Sequence, residues 1–212
     1  MARLTGSDLT TMVQEGLGGP PTELVPTALV LRWLNMEQAK WSTRYDIPQL
    51  MTSTTVTTSN GTAEYELTVT DVNRWENFVD TTNKLYLRMI SHDDYHIWTQ
   101  SGVPTGKPTH WHVSSHNTTT NADKVTFYPT PQGTYSIVGA YHKIPDAFAA
   151  TTVSSFPESW DEVFLYGAIA RGWAHLGQED KTRSALAIRN DAIDYAWKTT
   201  RMVSSVSAPI VR

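Results

Sequence analysis

What most constrains the fold of this chain is a change of residue pattern that happens twice. Apolar residues recur at helical spacing through residues 1–50, give way to β-type composition over 51–145, and resume helical spacing from 146 onward. In the first segment Leu9, Met12, Val13 and Leu17 share a helix face. Thr5 or Ser7 stands ready to cap it, and Gly18, Gly19, Pro20 and Pro21 stop it. A second helix is expected after Thr22, with Pro26 in its first turn. It would carry Val30, Trp33, Leu34, Trp41 and Tyr45 on one face and Arg32, Gln38 and Lys40 elsewhere, ending at Ile47-Pro48.

The middle is rich in Thr, Val, Tyr and Trp, which suit a pleated, half-buried surface. Asn60-Gly61 is a hairpin signal between alternating runs. Strands are expected near 53–58, 63–69, 84–90, 95–99, 110–115, 124–128 and 134–142, with a linking turn or short helix over 71–80. In the last strand Tyr135, Ile137, Gly139 and Tyr141 alternate with Ser136, Val138, Ala140 and His142. The third segment predicts a helix opened by Pro157-Glu158, with Trp160, Val163, Phe164, Ala168, Ile169 and Trp173 inward, closed by Gly177. A final helix over 179–203 places Leu186, Ile193 and Trp197 inward, flanked by Ala185, Ile188, Ala192 and Tyr195. Residues 204–212 read as an unstructured tail. The fold class that follows is α+β: a helical bundle formed by residues 1–50 and 146–212, with an inserted antiparallel β-sandwich or barrel-like domain over 51–145.

Several function classes are disfavoured. A net charge of −4 argues against a strongly basic nucleic-acid binder, which needs a dense positive field to displace counterions. With no cysteine, the chain has no disulfide framework, Cys zinc site or thiol nucleophile. No apolar run is long enough to span a bilayer, and the opening residues lack a signal-type apolar core. A protein without membrane contact, made in a reducing cytoplasm, is expected. No nucleophile elbow, phosphate loop or dinucleotide fingerprint occurs. Gly16–Pro21 reads as a helix stop, Glu64, Glu66 and Asp71 as a solvated face, and Asp161-Glu162 as first-turn acids facing a helix dipole.

Two rival sites stand out. His110 and His112 share a strand face near His92, His96 and His116, which would serve a metal-dependent enzyme if the imidazoles converged. Trp98 and Trp111, with Tyr95 and Tyr128, could form a sugar platform of a carbohydrate-binding module. The bland alternatives are a polar strand face and a core. No cofactor, metal or catalytic residue is expected.

The order of several short motifs resembles the head-to-tail connector adaptors of tailed bacteriophages, including the tail tubular adaptor group. It runs from Leu34-Asn35, Gln38 and Arg44 through Pro48 and Leu50 to Asn60-Gly61, Tyr65, Leu67 and Asp71-Val72. It continues with Gly106, Pro108 and Trp111, then Val125, Phe127, Pro129, Pro131, Gly133 and Tyr135, then Tyr141 and Pro145. Pro157-Glu158, Gly167-Ala168, Ala170-Arg171, Leu176-Gly177 and Asp180-Lys181 complete it. Trp41 departs from the pattern, standing where an aliphatic residue is expected. The resemblance implies a non-enzymatic virion protein at the capsid vertex and tail neck, assembled in the host bacterial cytoplasm. It would form a ring, typically of twelve subunits, between the portal protein and the next tail component (nozzle, stopper or tail tube), and DNA would pass unread through the lumen. It further implies that the C-terminal segment reaches the portal. Arg201, Met202, Val203, Val206, Ile210 and Val211 are the expected contacts, because an apolar terminal segment gains most from docking.

Overall fold

Thr5 starts the first helix. Its hydroxyl accepts from the Asp8 backbone N–H while the Asp8 carboxylate accepts from the Thr5 N–H, a reciprocal cap that satisfies donors a helix start leaves orphaned. The computed structural model describes residues 3–20, 22–100 and 102–206, those past 201 by backbone alone. In chain order the elements are α1 (Gly6–Gly16), α2 (Thr27–Ser42), β1 (Met51–Thr57), β2 (Glu64–Glu66), β3 (Val72–Asp80), β4 (Leu85–Met89), α3 (His92–Thr99), β5 (Thr105–Gly106), β6 (His110–Asn117), β7 (Ala122–Tyr128), β8 (Thr130–Pro131), β9 (Ser136–Lys143), α4 (Asp161–His175) and α5 (Glu179–Val206). The protein is thus α+β, with five helices and a curled, mixed seven-stranded sheet. It divides into two compact units, Met1–Leu50 with Ile144–Arg212, and Met51–Lys143.

In the helical unit α4 packs against α1, α2 and α5. Leu9 and Val13 of α1, Val30 and Leu34 of α2, Val163, Phe164 and Ala168 of α4, and Ile193 and Ala196 of α5 share one core. α2 begins after Pro26, so Thr22 lies outside it. Its inward face is broader than its apolar pattern suggests, since Glu37 and Gln38 are both buried. Gln38, expected on an outer face, donates through Nε2 to the Asp146 carbonyl at 2.7 Å and accepts from the Ser154 hydroxyl at 3.3 Å. The Glu37 carboxylate accepts from Arg171 Nε at 2.8 Å and Trp41 Nε1 at 3.1 Å, and lies 3.7 Å from Arg189. Gly167 makes room for it, because a Cβ there would stand 2.6 Å from Glu37 Cγ. α5 turns a stripe of small residues inward: Ala185, Ala192, Ala196 and Thr200 are buried, whereas Ile188 and Tyr195 are exposed. Small side chains let its backbone approach α4, and Thr200 accepts from Trp160 Nε1 at 3.0 Å.

In the β unit the strand order is β1-β9-β3-β4-β6-β7-β2. Val56 of β1 and Tyr65 of β2, from opposite edges, join the same core, so the sheet must curl. At its centre Phe78 lies 4.6 Å from the Trp111 ring and 5.7 Å from Phe127, and a Cβ at Gly139 would come within 2.4 Å of Phe78. Three expectations are corrected. The sheet is not wholly antiparallel: β4 and β6 run parallel, joined through α3. Residues 95–99 belong to α3, which Ser91 caps by accepting from the Asp94 N–H, with Asp93 and Asp94 in its first turn. Residues 71–80 hold β3, between β9 and β4, where register shifts at Val72/Arg74 and Trp75/Asn77 break the period-two pattern that would reveal a strand. Asn60-Gly61 does make a turn, with Gly61 at φ 77°, but β1 and β2 leave it for different partners, β9 and β7. β1, mostly Thr and Ser, is an outermost strand.

Removing Glu37 leaves two buried or half-buried guanidinium groups without their counter-charge. Glu37→Ala is expected to cost about 3–5 kcal/mol in chemical denaturation. Arg183→Ala, which loses only exposed contacts to Glu179 and Asp180, is expected to cost less than about 0.5 kcal/mol in the same experiment.

Candidate functional site

α4 divides the surface of the helical unit. One side forms an apolar groove with α1 and α5, a cavity of about 440 Å³ lined by Met12, Gly16, Leu165, Tyr166, Ile169, Trp173 and Ile188. Lys181 closes one end, its Nζ 4.0 Å from the Trp173 ring. Met12, Leu165 and Tyr166 continue into a second cavity of about 420 Å³ bounded by Leu4, Glu158, Asp161 and Glu162. A third, also about 420 Å³, lies between α2 and α4 and is lined by Leu29, Arg32, Trp33, Met36, Arg171, Ala174 and His175.

Asp161 sets the character of the second cavity. It is buried, with Arg3 and the Leu4 backbone N–H facing its carboxyl group. Burial raises its pKa from 3.8 to about 6, Glu158 pushes the same way, and Arg3 opposes. Its neighbour Glu162 is exposed. The sequence presents both as first-turn acids, and nothing in their spacing tells which one the neighbouring α1 segment covers.

The rival sites are placed differently from their expectations. His92 and His96, four residues apart on α3, bring Nε2 atoms within 2.8 Å, and His112 packs on Tyr95 at 4.3 Å between ring centres. No three of His92, His96, His110, His112 and His116 bring ligand atoms within 4.8 Å of one another. His116 instead pairs with Asp123 at 2.9 Å, which raises its pKa. His112 is buried, and burial lowers its pKa. Trp111 is 1% exposed and belongs to the core, which removes half of the sugar platform. Trp98 alone stays exposed, packed on Tyr128 and His110.

Of the expected portal contacts, Arg201 is exposed on α5 with its guanidinium 5.4 Å from the Trp197 ring. Met202, Val203 and Val206 fall within α5, but their side chains lie outside the described residues, as do Ile210 and Val211 altogether.

These helical faces belong to a chain matched by a family model almost from end to end. The model is that of the SU10 adaptor protein, and it covers residues 4–211. The chain belongs to this family of phage head-to-tail adaptors. A search of curated proteins gave no match. The adaptor family is structural, so this member is a virion component that contacts other virion components. Among the described residues no helix is long and apolar enough to cross a membrane.

The raised carboxyl of Asp161 has a stability consequence. Below about pH 4 it is protonated both folded and unfolded and contributes no difference. As pH rises toward 6 the unfolded chain releases the proton first, so stability declines across that window. Asp161→Asn is expected to flatten this decline and to be more stable than wild type at pH 7 by about 1–2 kcal/mol. Urea melts of both proteins at pH 4 and pH 7 test this; equal pH dependence contradicts it.

Proposed function

We propose that this adaptor forms a ring at the capsid vertex, docked beneath the portal protein and followed by a nozzle, stopper or tail tube protein. The ring is twelve-fold, as the resemblance implies, and DNA passes through its lumen without being read. The family match over residues 4–211 carries this reading. A net charge of −4 accords with a conduit that should not hold phosphates during ejection. The helical unit is the proposed ring-forming body, a bundle that residues 1–50 and 146–212 complete together. The β unit serves neighbouring subunits or the next tail component. No residue is assigned a catalytic role, and assembly takes place in the bacterial cytoplasm before the particle leaves the host.

Portal attachment is assigned to the C-terminal segment, with Arg201, Met202, Val203, Val206, Ile210 and Val211 as contacts. An apolar terminal segment buries area on docking that it exposes when alone. Deleting residues 204–212 is expected to leave the thermal melt within a few degrees of wild type while abolishing attachment to portal-bearing heads, scored by electron microscopy. A truncated chain that still decorates the heads contradicts the assignment.

A further inference from the structure

A ring closed by head-to-tail contacts needs two different surfaces on each subunit, complementary to each other. The helical unit carries such a pair. At about 100° per residue along α4, residues 162, 165, 166, 169 and 173 fall on one side, and 171, 174 and 175 on the opposite side. The first side opens onto the acidic end of the long groove, where Glu158, Asp161 and Glu162 stand beside Leu4 and Tyr166. The second opens onto the cavity between α2 and α4, where Arg32, Arg171 and His175 stand beside Leu29 and Trp33. The two cavities have the same volume, about 420 Å³. Each is edged by a projecting methionine, Met12 at 38% and Met36 at 44% exposure, an adaptable apolar knob facing an apolar recess.

We propose that the acidic groove of one copy receives the basic groove of the next, Arg32 of one subunit meeting Glu158 and Glu162 of its neighbour around the Met12 and Met36 contacts. Charge complementarity selects a second copy as the occupant. Arg32, Glu158 and Glu162 are exposed and form no ion pair with any described residue of their own chain. Arg171 adds to the positive side, since among the described residues Glu37 is the one carboxylate ion-paired with Arg171 and Arg189. On the negative side Asp161 lines the cavity wall beside Glu158 and Glu162. Because the two grooves lie on opposite sides of one helix, each docking event leaves a free groove of each kind at the ends of the growing array. The contact therefore propagates until rotation closes it.

The inference rests on the adaptor reading and can fail separately from it. The chain has no cysteine, so Arg32→Cys and Glu162→Cys can be placed together and treated with a short bis-maleimide. A denaturing gel is expected to show a ladder of dimers, trimers and larger species. Each single variant should stay monomeric, and an equal mixture of the two should stop at dimers. A double variant that remains monomeric while the charge reversals below leave association unchanged overturns the proposal, as does dimerisation of Glu162→Cys alone, which signals a face-to-face two-fold contact. By sedimentation, Glu162→Arg and Arg32→Glu are each expected to weaken self-association at least ten-fold, and the combined swap to restore it. Unchanged association in both single variants, with melts like wild type, also overturns it. Wild-type docking on portals with no ladder leaves the adaptor reading standing and removes the groove pairing; a ladder without portal docking does the reverse.

Discussion

The helical unit is organised around a buried carboxylate. Glu37 sits at the junction of α2, α4 and α5, with its side chain 2% exposed, accepting from the indole of Trp41 and the guanidinium of Arg171 while Arg189 approaches from α5. Such a charge is costly to desolvate, and only the convergence of donors makes burial tolerable. That convergence fixes several things together. It requires Gly167, because any side chain there would occupy the carboxylate's place. It sets Arg171 at the floor of the basic cavity, half in the core and half at the surface. It also gives Trp41 a use that an aliphatic residue could not serve, since an aliphatic side chain has no N–H to donate. An all-apolar packing of the same volume could be as stable. The ionic cluster adds direction: the three helices have one register in which all the donors meet.

The β unit is held by aromatic packing. Phe78, Trp111 and Phe127 come from β3, β6 and β7, and Gly139 of β9 admits Phe78 against its backbone. Because β4 pairs with β3 along its first half and with β6 near its end, it is the strand through which the sheet turns from one part to the other. Trp111 is committed to that core, which is why the sugar-platform reading cannot stand on both of its tryptophans.

Much of this was legible from residue patterns. The α4 stripe from Trp160 to Ile169 and the shared face of Ile137, Gly139 and Tyr141 in β9 follow from spacing, whereas spacing leaves the first cap open between Thr5 and Ser7. The failures have physical causes. β3 carries two register shifts, so its alternation is lost in the sequence although it lies inside the sheet. α3 is a short helix whose residues Tyr95 to Trp98 suit a strand equally well, and its Ser91 cap decides the matter only once the backbone is seen. Glu37 and Gln38 look like solvent-facing residues because burial of polar groups depends on partners far along the chain, Arg171, Asp146 and Ser154. The two grooves were invisible for a related reason: a recess is a property of neighbouring helices, and no single helix encodes it.

The outermost strand β1 presents one row of backbone groups without a neighbour within the sheet, and six of its seven side chains are exposed or partly so. Stray accretion onto such an edge gains hydrogen bonds, but Thr and Ser offer little oily area to bury. The fold can thus keep an open border without inviting fibres.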